Sequence, residues 1–384
     1  MRISVTGAGI VSAIGTGLEQ TLRSLREKRS GVSGVRYLQT SHPEFPVAEV
    51  KMSEEELRKA LGISTDEATT RTAMLSIIAL KEALEEAGNP PLDAIISGTT
   101  VGGMEKSEVY YRDFISDSPA HSDYIRIHDC GSSTLLAAKY FGGVRSFTTL
   151  STACSSAANA IITGANMILT GKARRVAAGG SECLSDFHLS GFASLMILDK
   201  ERCRPFDRTR EGLNLGEGAA YIIMEADADD APFCLSGWGN ACDAFHQTAT
   251  SEDGIGAYLA MEKALRKAGL KPSDIDYINA HGTGTPNNDA SESAALRRLF
   301  GDALPPVSST KAFTGHTTSA AGGIEAVISL LALREGFIPA SLGFRESDPA
   351  CIVPSSGEER PLKHVMSNSF GFGGNDTSLI FSAL

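Results

Sequence analysis

Residues 147–162 read FTTLSTACSSAANAII, and this stretch decides how the chain is expected to fold. Residues 147–150 are aromatic and β-branched, which is the composition of a buried strand. Small residues follow over 151–158, and an apolar pattern with helical spacing then continues to Met167. The stretch therefore predicts a strand, a tight connection and a helix, with Cys154 at the point where the strand gives way to the helix.

Cys154 occupies a position where a cysteine can become reactive. The unpaired N–H groups and the positive end of the helix dipole favour a thiolate there, and the small neighbouring residues leave room for a ligand. The alternative is a buried, unreactive cysteine, which is the commoner role of a cysteine in an apolar run. The residues that favour the reactive interpretation lie more than a hundred positions downstream.

Five motifs follow one another along the chain. They are TACSSA (152–157), PFDRTREGLNLGEGAA (205–220), HGTGTPNND (281–289), SSTKAFTGHTTSAAGG (308–323) and NSFGFGGND (368–376). In this order they resemble the β-ketoacyl-acyl-carrier-protein synthase family, in its elongating Cys-His-His branch. The resemblance extends from Arg2 to about Phe381 and is weakest over residues 105–140. It implies an α/β protein with the thiolase-like duplicated five-layer αβαβα fold.

A repeat within the chain also points to two related halves. ALKEALEEAG (79–88) and AMEKALRKAG (260–269) share five identities in ten positions at an offset of 181. Each copy is followed by an apolar strand pattern, a glycine-rich loop, a second strand pattern and a small-residue helix, which predicts a duplication. The acidic stretch 225–230 marks the boundary, giving an N-terminal half of residues 1–230 and a C-terminal half of residues 231–384.

Local patterns predict the first elements of the chain. A strand begins at Ile3 and carries Gly7-Ala8-Gly9, but the dinucleotide-binding fingerprint needs a third glycine where this chain has Ser12. We therefore interpret the two glycines as a tight strand-to-helix turn. Helices are predicted over residues 18–28, 53–61 and 72–87, the second opened by a capping box from Ser53 to Glu56.

Composition limits the class of protein. The chain has 384 residues, 42% of them hydrophobic and 21% charged, as in ordinary globular proteins. A net charge of −11 without a run of Lys or Arg argues against a nucleic-acid partner. Seven cysteines without a CxxC pair predict neither a disulfide framework nor a zinc site. Because Arg2 leads directly into a strand and the apolar run 324–333 is short and contains Glu325, we expect a cytoplasmic enzyme without a signal peptide or a membrane span.

Forming a carbon–carbon bond between two thioesters requires a nucleophile, hydrogen-bond donors for the carbonyl oxygens and exclusion of water. The resemblance assigns Cys154 as the nucleophile, and its backbone N–H with that of Phe372 as the oxyanion hole. His281 and His316 match the pair of neutral imidazoles that stabilise the enolate formed when a malonyl thioester loses carbon dioxide. Metal binding by these histidines and Cys154 is the alternative, which the absence of zinc-like spacings disfavours. We expect no metal and no bound cofactor, since 4′-phosphopantetheine arrives on the acyl carrier protein.

Four charged residues match supporting positions of the family. Lys311 and Glu325 match a pair that orients a catalytic histidine, and the alternative is a buried ion pair without catalytic effect. Asp289 and Glu292 match acidic positions that we assign to the same network.

Hydroxyl and aromatic residues match substrate-binding positions. Thr283 and Thr285 resemble the residues that bind the pantetheine amides, although threonines in such a loop often only cap a turn. Phe372 matches a phenylalanine that gates the acyl pocket. The alternative is that Phe370 and Phe372 are two core aromatics between glycine turns.

Arg204 resembles an arginine that docks the carrier protein. An acidic chain that binds an acidic carrier needs a local basic patch, and the densest cluster of cations surrounds this residue. Its other members are Lys200, Arg202, Arg208 and Arg210. A solvated loop without a partner is the alternative.

Two departures from the family pattern concern the substrate. The last motif ends GGND rather than GGTN, so Asn375 and Asp376 alter the hydrogen bonds expected there. Residues 105–140, which the resemblance places at the far end of the acyl pocket near a dimer axis, lack the Asn-Met stretch of many elongating synthases. We hypothesise that the accepted chain is a polyene or aryl-primed one rather than the ordinary saturated series.

Three functions remain to be compared. The favoured one is a decarboxylating condensing enzyme of fatty acid or related polyketide biosynthesis, working as a homodimer that pairs the strand before Cys154. A chain-length partner subunit of a heterodimer would lack the nucleophile. A degradative thiolase would carry a second cysteine near its C-terminus, where residues 371–374 read GFGG.

Overall fold

The structure is a computed structural model that describes residues 1–116, 120–142 and 144–384. Residues 117–119 of the predicted pocket and dimer segment (105–140) lie outside the described residues. The strands are β1 (Ile3–Ser12), β2 (Gly15–Thr16), β3 (Ala94–Gly98), β4 (Ser146–Leu150), β5 (Arg175–Glu182), β6 (Gly218–Ala226), β7 (Phe233–Cys242), β8 (Tyr277–Asn279), β9 (Val307–Ser308), β10 (Phe337–Ile338), β11 (Glu358–Glu359), β12 (His364–Gly371) and β13 (Asn375–Ala383). The helices are α1 (Leu18–Arg26), α2 (Glu54–Leu61), α3 (Arg71–Glu86), α4 (Met104–Ile115), α5 (Ser122–Arg126), α6 (Cys130–Phe141), α7 (Ser156–Leu169), α8 (Asp186–Ser194), α9 (Ile255–Ala268), α10 (Pro286–Phe300), α11 (Lys311–Thr314) and α12 (Ala321–Glu335).

The strand order shows the internal duplication. The long sheet runs β4-β3-β5-β6-β1-β7-β13-β12-β8-β9. Numbered within its own half, each set of five strands has the order third, second, fourth, fifth, first, read from the outer edge inward. The pattern of parallel and antiparallel pairs is also the same in both halves. The halves join where β1 pairs with β7, and the predicted boundary at residue 230 lies in the connection from β6 to β7.

Helices cover the two half-sheets in layers. Helix α3 packs on β1 and β6, and α9 packs on β7 and β13, so these helices form the outer layers. Helices α7 and α12 contact each other between the half-sheets, and α12 is buried from Ala321 to Leu333. This arrangement is the predicted five-layer αβαβα fold. No helix of the described residues is long and apolar enough to cross a membrane.

Glycines in β1 and β7 allow the outer helices to approach the sheet closely. A methyl group on Gly7 would overlap the carbonyl oxygen of Ala83 in α3, and one on Gly237 would overlap that of Ala264 in α9. Gly7-Ala8-Gly9 lies inside β1, so the predicted strand-to-helix turn is wrong. The GxG pattern is a strand–helix packing feature that the duplication repeats.

Replacing Gly7 with alanine is expected to lower the free energy of unfolding by about 1–3 kcal/mol, because α3 must move away from β1. Urea unfolding would measure the change. Gly34→Ala is the control, since a methyl group there meets no atom within 4 Å, and we expect its midpoint to stay close to that of the wild type. Equal midpoints for the two variants would contradict the packing argument.

The predicted local elements are mostly confirmed, with one change in burial. Helices α1, α2 and α3 occupy the predicted regions, and Ser53 and Glu56 form the predicted capping box. Strand β4 also forms, but it is the edge strand of the sheet and Phe147 is 44% exposed. The prediction of a buried strand is therefore wrong, because nothing in the described chain covers this edge.

Candidate active site

A strained turn presents Cys154 at the junction of β4 and α7. Ala153 has a φ of 50°, a left-handed conformation that is unusual for a residue with a side chain. The turn is held by Ser156, whose hydroxyl accepts from the Thr152 N–H at 2.8 Å and donates to the Ala153 carbonyl at 2.6 Å. Cys154 is 5% exposed and lies two residues before the first residue of α7. The predicted strand–turn–helix geometry is therefore present.

Two histidines from the other half meet this cysteine. His316, in the loop after α11, places Nε2 3.1 Å from Cys154 Sγ. His281, in the loop after β8, stands edge-on to His316 with 5.3 Å between ring centroids. The three predicted residues, far apart in the sequence, thus form one cluster.

The two predicted oxyanion donors lie at the same sulfur. The backbone N–H groups of Phe372 and Cys154 both reach Cys154 Sγ and favour its thiolate form, against the larger opposing effect of burial on its pKa. The ring of Phe372 stacks on Phe192 of α8, with 5.9 Å between centroids. Sequence reasoning missed Phe192, because a single phenylalanine in a helix has no distinguishing pattern.

Burial decides the protonation states of the cluster. It raises the pKa of the Cys154 thiol to about 11, although the Lys311 charge and the two backbone N–H groups act in the opposite direction. The prediction of a thiolate favoured by the helix terminus is therefore wrong for the resting protein. Burial, followed by the Lys311 charge, lowers the pKa of His281 and of His316 well below the usual value, so both imidazoles are neutral.

Lys311 fixes the proton of His281. Its buried ammonium pairs with Glu325, donates to the His281 carbonyl at 2.5 Å and lies 3.3 Å from His281 Nδ1. Because an ammonium only donates, Nδ1 must accept and the proton of the neutral ring must reside on Nε2. This geometry favours the orienting role predicted for Lys311 over that of an ion pair without effect.

Replacing Lys311 with methionine is expected to cost about 3–5 kcal/mol of folding stability, because Glu325 is left buried without its partner. The double variant Lys311→Met/Glu325→Leu should regain most of that stability in urea unfolding. Release of carbon dioxide from a malonyl thioester should stay low in the double variant, since His281 Nδ1 still lacks a donor. Recovery of both stability and activity would show that the pair is only structural.

Glu292 and Asp289 hold the loop that carries His281. Glu292 accepts from the N–H groups of His281 at 3.0 Å and Gly282 at 2.8 Å. Asp289 accepts from the N–H groups of Phe206 at 2.7 Å and Gly284 at 3.2 Å. Both residues act through backbone contacts rather than through Lys311.

A cavity of 340 Å³ opens onto the cluster. Thr283 and Thr285, the predicted pantetheine residues, line it and place their hydroxyls 2.8 Å apart. Phe370 lines it as well, with its ring centroid 5.8 Å from that of His281. The predicted substrate-binding residues are therefore gathered in one wall of the cavity.

A second wall was not predicted from the sequence. Residues 243–251, which we call the covering loop, contribute Thr248, Ala249 and Thr250 to the cavity. The loop contacts the turn after Phe372, since the Gly373 N–H donates to the Gln247 carbonyl at 2.8 Å. No motif marks this loop, which has the composition of an ordinary polar connection.

Arg204 is not the surface cation that the sequence predicted. Its side chain is 10% exposed and pairs with Asp199 at 3.1 Å and Glu201 at 2.7 Å. It also donates to the Thr209 carbonyl, so it stabilises its own loop. Lys200, Arg202 and Arg208 are the exposed cations of the predicted cluster. Arg208 pairs with Glu346, so Lys200 and Arg202 are better placed to meet an acidic carrier.

The segment predicted to reach the far end of the acyl pocket presents an exposed apolar surface. None of its described residues lines the cavity around Cys154. Val109, Tyr111, Ile115 and Ile125 are instead each more than half exposed. They belong to the same half as the uncovered edge strand β4.

Asn375, one of the two residues at which the last motif departs from the family pattern, links the last loop to the residues that follow Cys154. The Asn375 side-chain oxygen accepts from the Ser155 hydroxyl at 2.9 Å and from the side-chain amides of Asn159 at 2.8 Å and Asn240 at 2.9 Å. The neighbouring Asp376 points into the protein and is 2% exposed.

A metal ion fits the cluster poorly. The Cys154, His281 and His316 donor atoms all lie within 4.8 Å of one another, which is close enough to share an ion. The Lys311 ammonium, however, already occupies the Nδ1 side of His281 and would repel a second cation. The expected absence of a metal stays a prediction.

Comparisons with known proteins agree across the whole chain. The family model for the N-terminal domain of beta-ketoacyl synthase matches residues 1–230, and that for the C-terminal domain matches residues 233–345. The 3-oxoacyl-[acyl-carrier-protein] synthase 2 of Coxiella burnetii is 32% identical over 410 residues, covering 99% of this chain and 98% of the relative. Nodulation protein E of Rhizobium meliloti is 32% identical over 402 residues, with the same shares covered.

Solved structures show the same similarity. The ishigamide ketosynthase/chain length factor matches with a TM-score of 0.91 at 30% identity, covering 100% of this chain and 99% of that one. The ketosynthase ApeO in complex with its chain length factor ApeC, from Xenorhabdus doucetiae, matches with a TM-score of 0.87 at 31% identity, covering 100% and 98%.

Proposed function

Because this chain belongs to the β-ketoacyl synthase family, we propose that it condenses an acyl group held on Cys154 with a malonyl group carried by an acyl carrier protein. The reaction releases carbon dioxide and leaves a β-ketoacyl group on the carrier. The observation that carries the proposal is the 3.1 Å contact between His316 Nε2 and Cys154 Sγ, beside a second neutral histidine. A partner subunit without catalysis has no use for this arrangement.

In the first step, Cys154 accepts the acyl group. Its thiol passes a proton to His316 Nε2 as Sγ attacks the thioester carbonyl, so no resting thiolate is required. The carbonyl oxygen becomes negative and accepts from the N–H groups of Cys154 and Phe372. The carbonyl then re-forms, and the pantetheine sulfur leaves with the proton from His316.

In the second step, a malonyl thioester loses its carboxylate as carbon dioxide. The electron pair of the broken carbon–carbon bond moves to the thioester oxygen, where His281 Nε2–H donates a hydrogen bond. The resulting carbon nucleophile attacks the acyl carbonyl on Cys154 and forms the new carbon–carbon bond. Sγ leaves as a thiolate and regains a proton from solvent.

Intact-protein mass spectrometry with a panel of acyl-carrier thioesters tests this function. We expect an acyl mass on the protein, and we expect it to disappear when malonyl carrier is added, with a product two carbons longer. If no donor acylates the protein, the partner-subunit interpretation gains and a catalytic subunit should be sought.

We propose further that the acyl chain is a conjugated or aryl-primed one. Support comes from the segment 105–140, which departs from the family pattern. The similar ishigamide and ApeO ketosynthases are proteins that work with a chain length factor, which suits a specialised chain. Single-turnover rates with saturated, polyunsaturated and aromatic primers test this. Equal use of saturated primers of all lengths, with none of the others accepted, would contradict it.

We also propose that strand β4 and the exposed apolar surface of residues 105–140 bind a second subunit. Phe147 on the free edge and the exposed side chains of α4 leave this face uncovered in a single chain. Mass measurement of the purified chain distinguishes a homodimer, which we expect, from a monomer that needs a different subunit. The seven free cysteines suit the reducing cytoplasm, where we propose that the reaction takes place.

A further inference from the structure

Asp376 is a buried carboxyl that the mechanism does not use. It lies on β13 directly behind the turn that carries the Phe372 N–H, and it is 2% exposed. One of its carboxyl oxygens, Oδ1, has no hydrogen-bond partner among the described residues. A buried polar atom without a hydrogen-bond partner lowers the stability of the folded protein, so we expect a nearby group with which this carboxyl interacts.

A second carboxyl occupies the same place. A methyl group on Gly256 at the start of α9 would overlap Asp376 Oδ2 and lie 2.9 Å from Asp243 Cβ. The Asp376 carboxyl and the Asp243 side chain therefore both lie against Gly256, where the missing side chain leaves room for them. A methyl group on Gly374, in the turn after Phe372, would in turn overlap Asp243 Oδ1.

Asp243 organises the covering loop. Its carboxylate accepts from the Phe245 N–H at 3.1 Å and from the Ser251 N–H at 3.1 Å, so it joins the two ends of that loop. Its own N–H donates to the Gly374 carbonyl at 3.2 Å. A group that binds Asp243 thus holds the wall formed by Thr248, Ala249 and Thr250.

We propose that Asp376 is a positioning residue whose neutral carboxyl donates a hydrogen bond to Asp243 and so fastens the covering loop to the Phe372 turn. The proposal rests on the condensing function for its effect on turnover, whereas the proposed hydrogen bond does not depend on that function. This hydrogen bond keeps the cavity wall and the Phe372 N–H at a fixed distance from each other when a thioester binds.

The charges around Asp376 support a neutral state. It faces Asp243 from the covering loop and Glu292 from α10, while α9 contributes the uncharged Gly256. Burial and these two carboxylates raise the pKa of Asp376 to about 8. The carboxyl is therefore protonated at neutral pH. As the pH rises through about 8 it ionises, its donor is lost and it faces Asp243 as a like charge.

The pH dependence of the Michaelis constant for malonyl carrier tests the proposal. For the wild type we expect KM to rise about tenfold between pH 7 and pH 9, since one unit above the pKa about ten carboxyls are ionised for each protonated one. Asp376→Asn keeps a donor that does not titrate, so its KM should stay level over this range. The exposed Glu252→Gln variant, which removes a charge from the residue directly after the covering loop, should behave as the wild type.

Hydrogen exchange gives a readout that needs no turnover. At pH 9 the amides of residues 243–251 should exchange about tenfold faster in the wild type than in Asp376→Asn, and at pH 7 the two should agree. Comparison at one pH cancels the intrinsic rate. A protein that fails to condense but shows this difference would overturn the proposed function and leave the positioning role intact.

Two results would overturn the positioning role. One is a wild-type rise in KM that persists unchanged in Asp376→Asn; the other is equal loop exchange at both pH values. If Asp376→Asn fails to fold, Asp243→Asn serves instead. Removing that like charge lets Asp376 ionise more readily, so the rise in KM should move to lower pH, and an unmoved rise would contradict the proposal.

Discussion

Replacing Cys154 with alanine is expected to abolish acylation of the protein and reduce condensation to background. The methyl group cannot form a thioester, so the first half of the reaction has no acceptor. Intact-protein mass after incubation with acyl carrier, followed by quantification of β-ketoacyl product, measures both losses. Removing a nucleophile from a covalent mechanism costs up to about 10⁶ in turnover, the largest effect expected for any single change here.

The matched control is Cys242→Ala, which removes the exposed free thiol. This variant should acylate at the wild-type rate. Acylation that survives in Cys154→Ala but is lost in Cys242→Ala would mean that thioester exchange occurs at the surface, and the assignment of the nucleophile would fail. Release of carbon dioxide without condensation can be measured in the same samples, because the histidines remain in place in the alanine variant.

The catalytic residues could be predicted from the sequence because they lie in short motifs of fixed composition. Cys154, His281 and His316 each occupy a turn rich in glycine or small residues, and the structure brings these turns together. The duplication was visible in the related helices α3 and α9. Its packing basis, close contact of Gly7 and Gly237 with those helices, required the coordinates.

The properties that failed to follow from the sequence depend on burial. A helix N-terminus favours an anion by about 0.3–1 kcal/mol, which is less than the roughly 1.4 kcal/mol that one pKa unit represents. Removal of Cys154 from water is the larger effect, so its pKa moves upward. Arg204 was assigned to the surface because cations cluster near it in sequence. Asp199 and Glu201, its partners in the fold, are equally close in sequence, but their pairing geometry is not encoded in a motif.

Replacing His281 with alanine is expected to slow loss of carbon dioxide from malonyl carrier by about 10²–10³, the usual effect of removing one donor to a developing oxyanion. Acylation of Cys154 should change little, since His281 makes no hydrogen bond to Sγ and His316 does. His316→Ala should instead slow acylation, because His316 Nε2 takes the proton of the Cys154 thiol in that step. The two half-reactions are separated by measuring the acyl-enzyme mass at early times and carbon dioxide release from the preformed acyl-enzyme.

The effect of each histidine variant on acylation, divided by its effect on decarboxylation, distinguishes the roles of His281 and His316 better than the overall rate does. His42→Ala, a change in a loop that does not line the cavity, should leave both half-reactions unchanged and controls for the loss of an imidazole. Equal slowing of acylation and decarboxylation in His281→Ala would mean that the ring holds the site together rather than stabilising the enolate. Unfolding curves decide that case, because a packing role predicts a matching loss of stability. A donor role predicts instead that decarboxylation falls while acylation and stability are maintained, and His281 Nε2–H, fixed by Lys311 at the opposite ring nitrogen, is placed for that role.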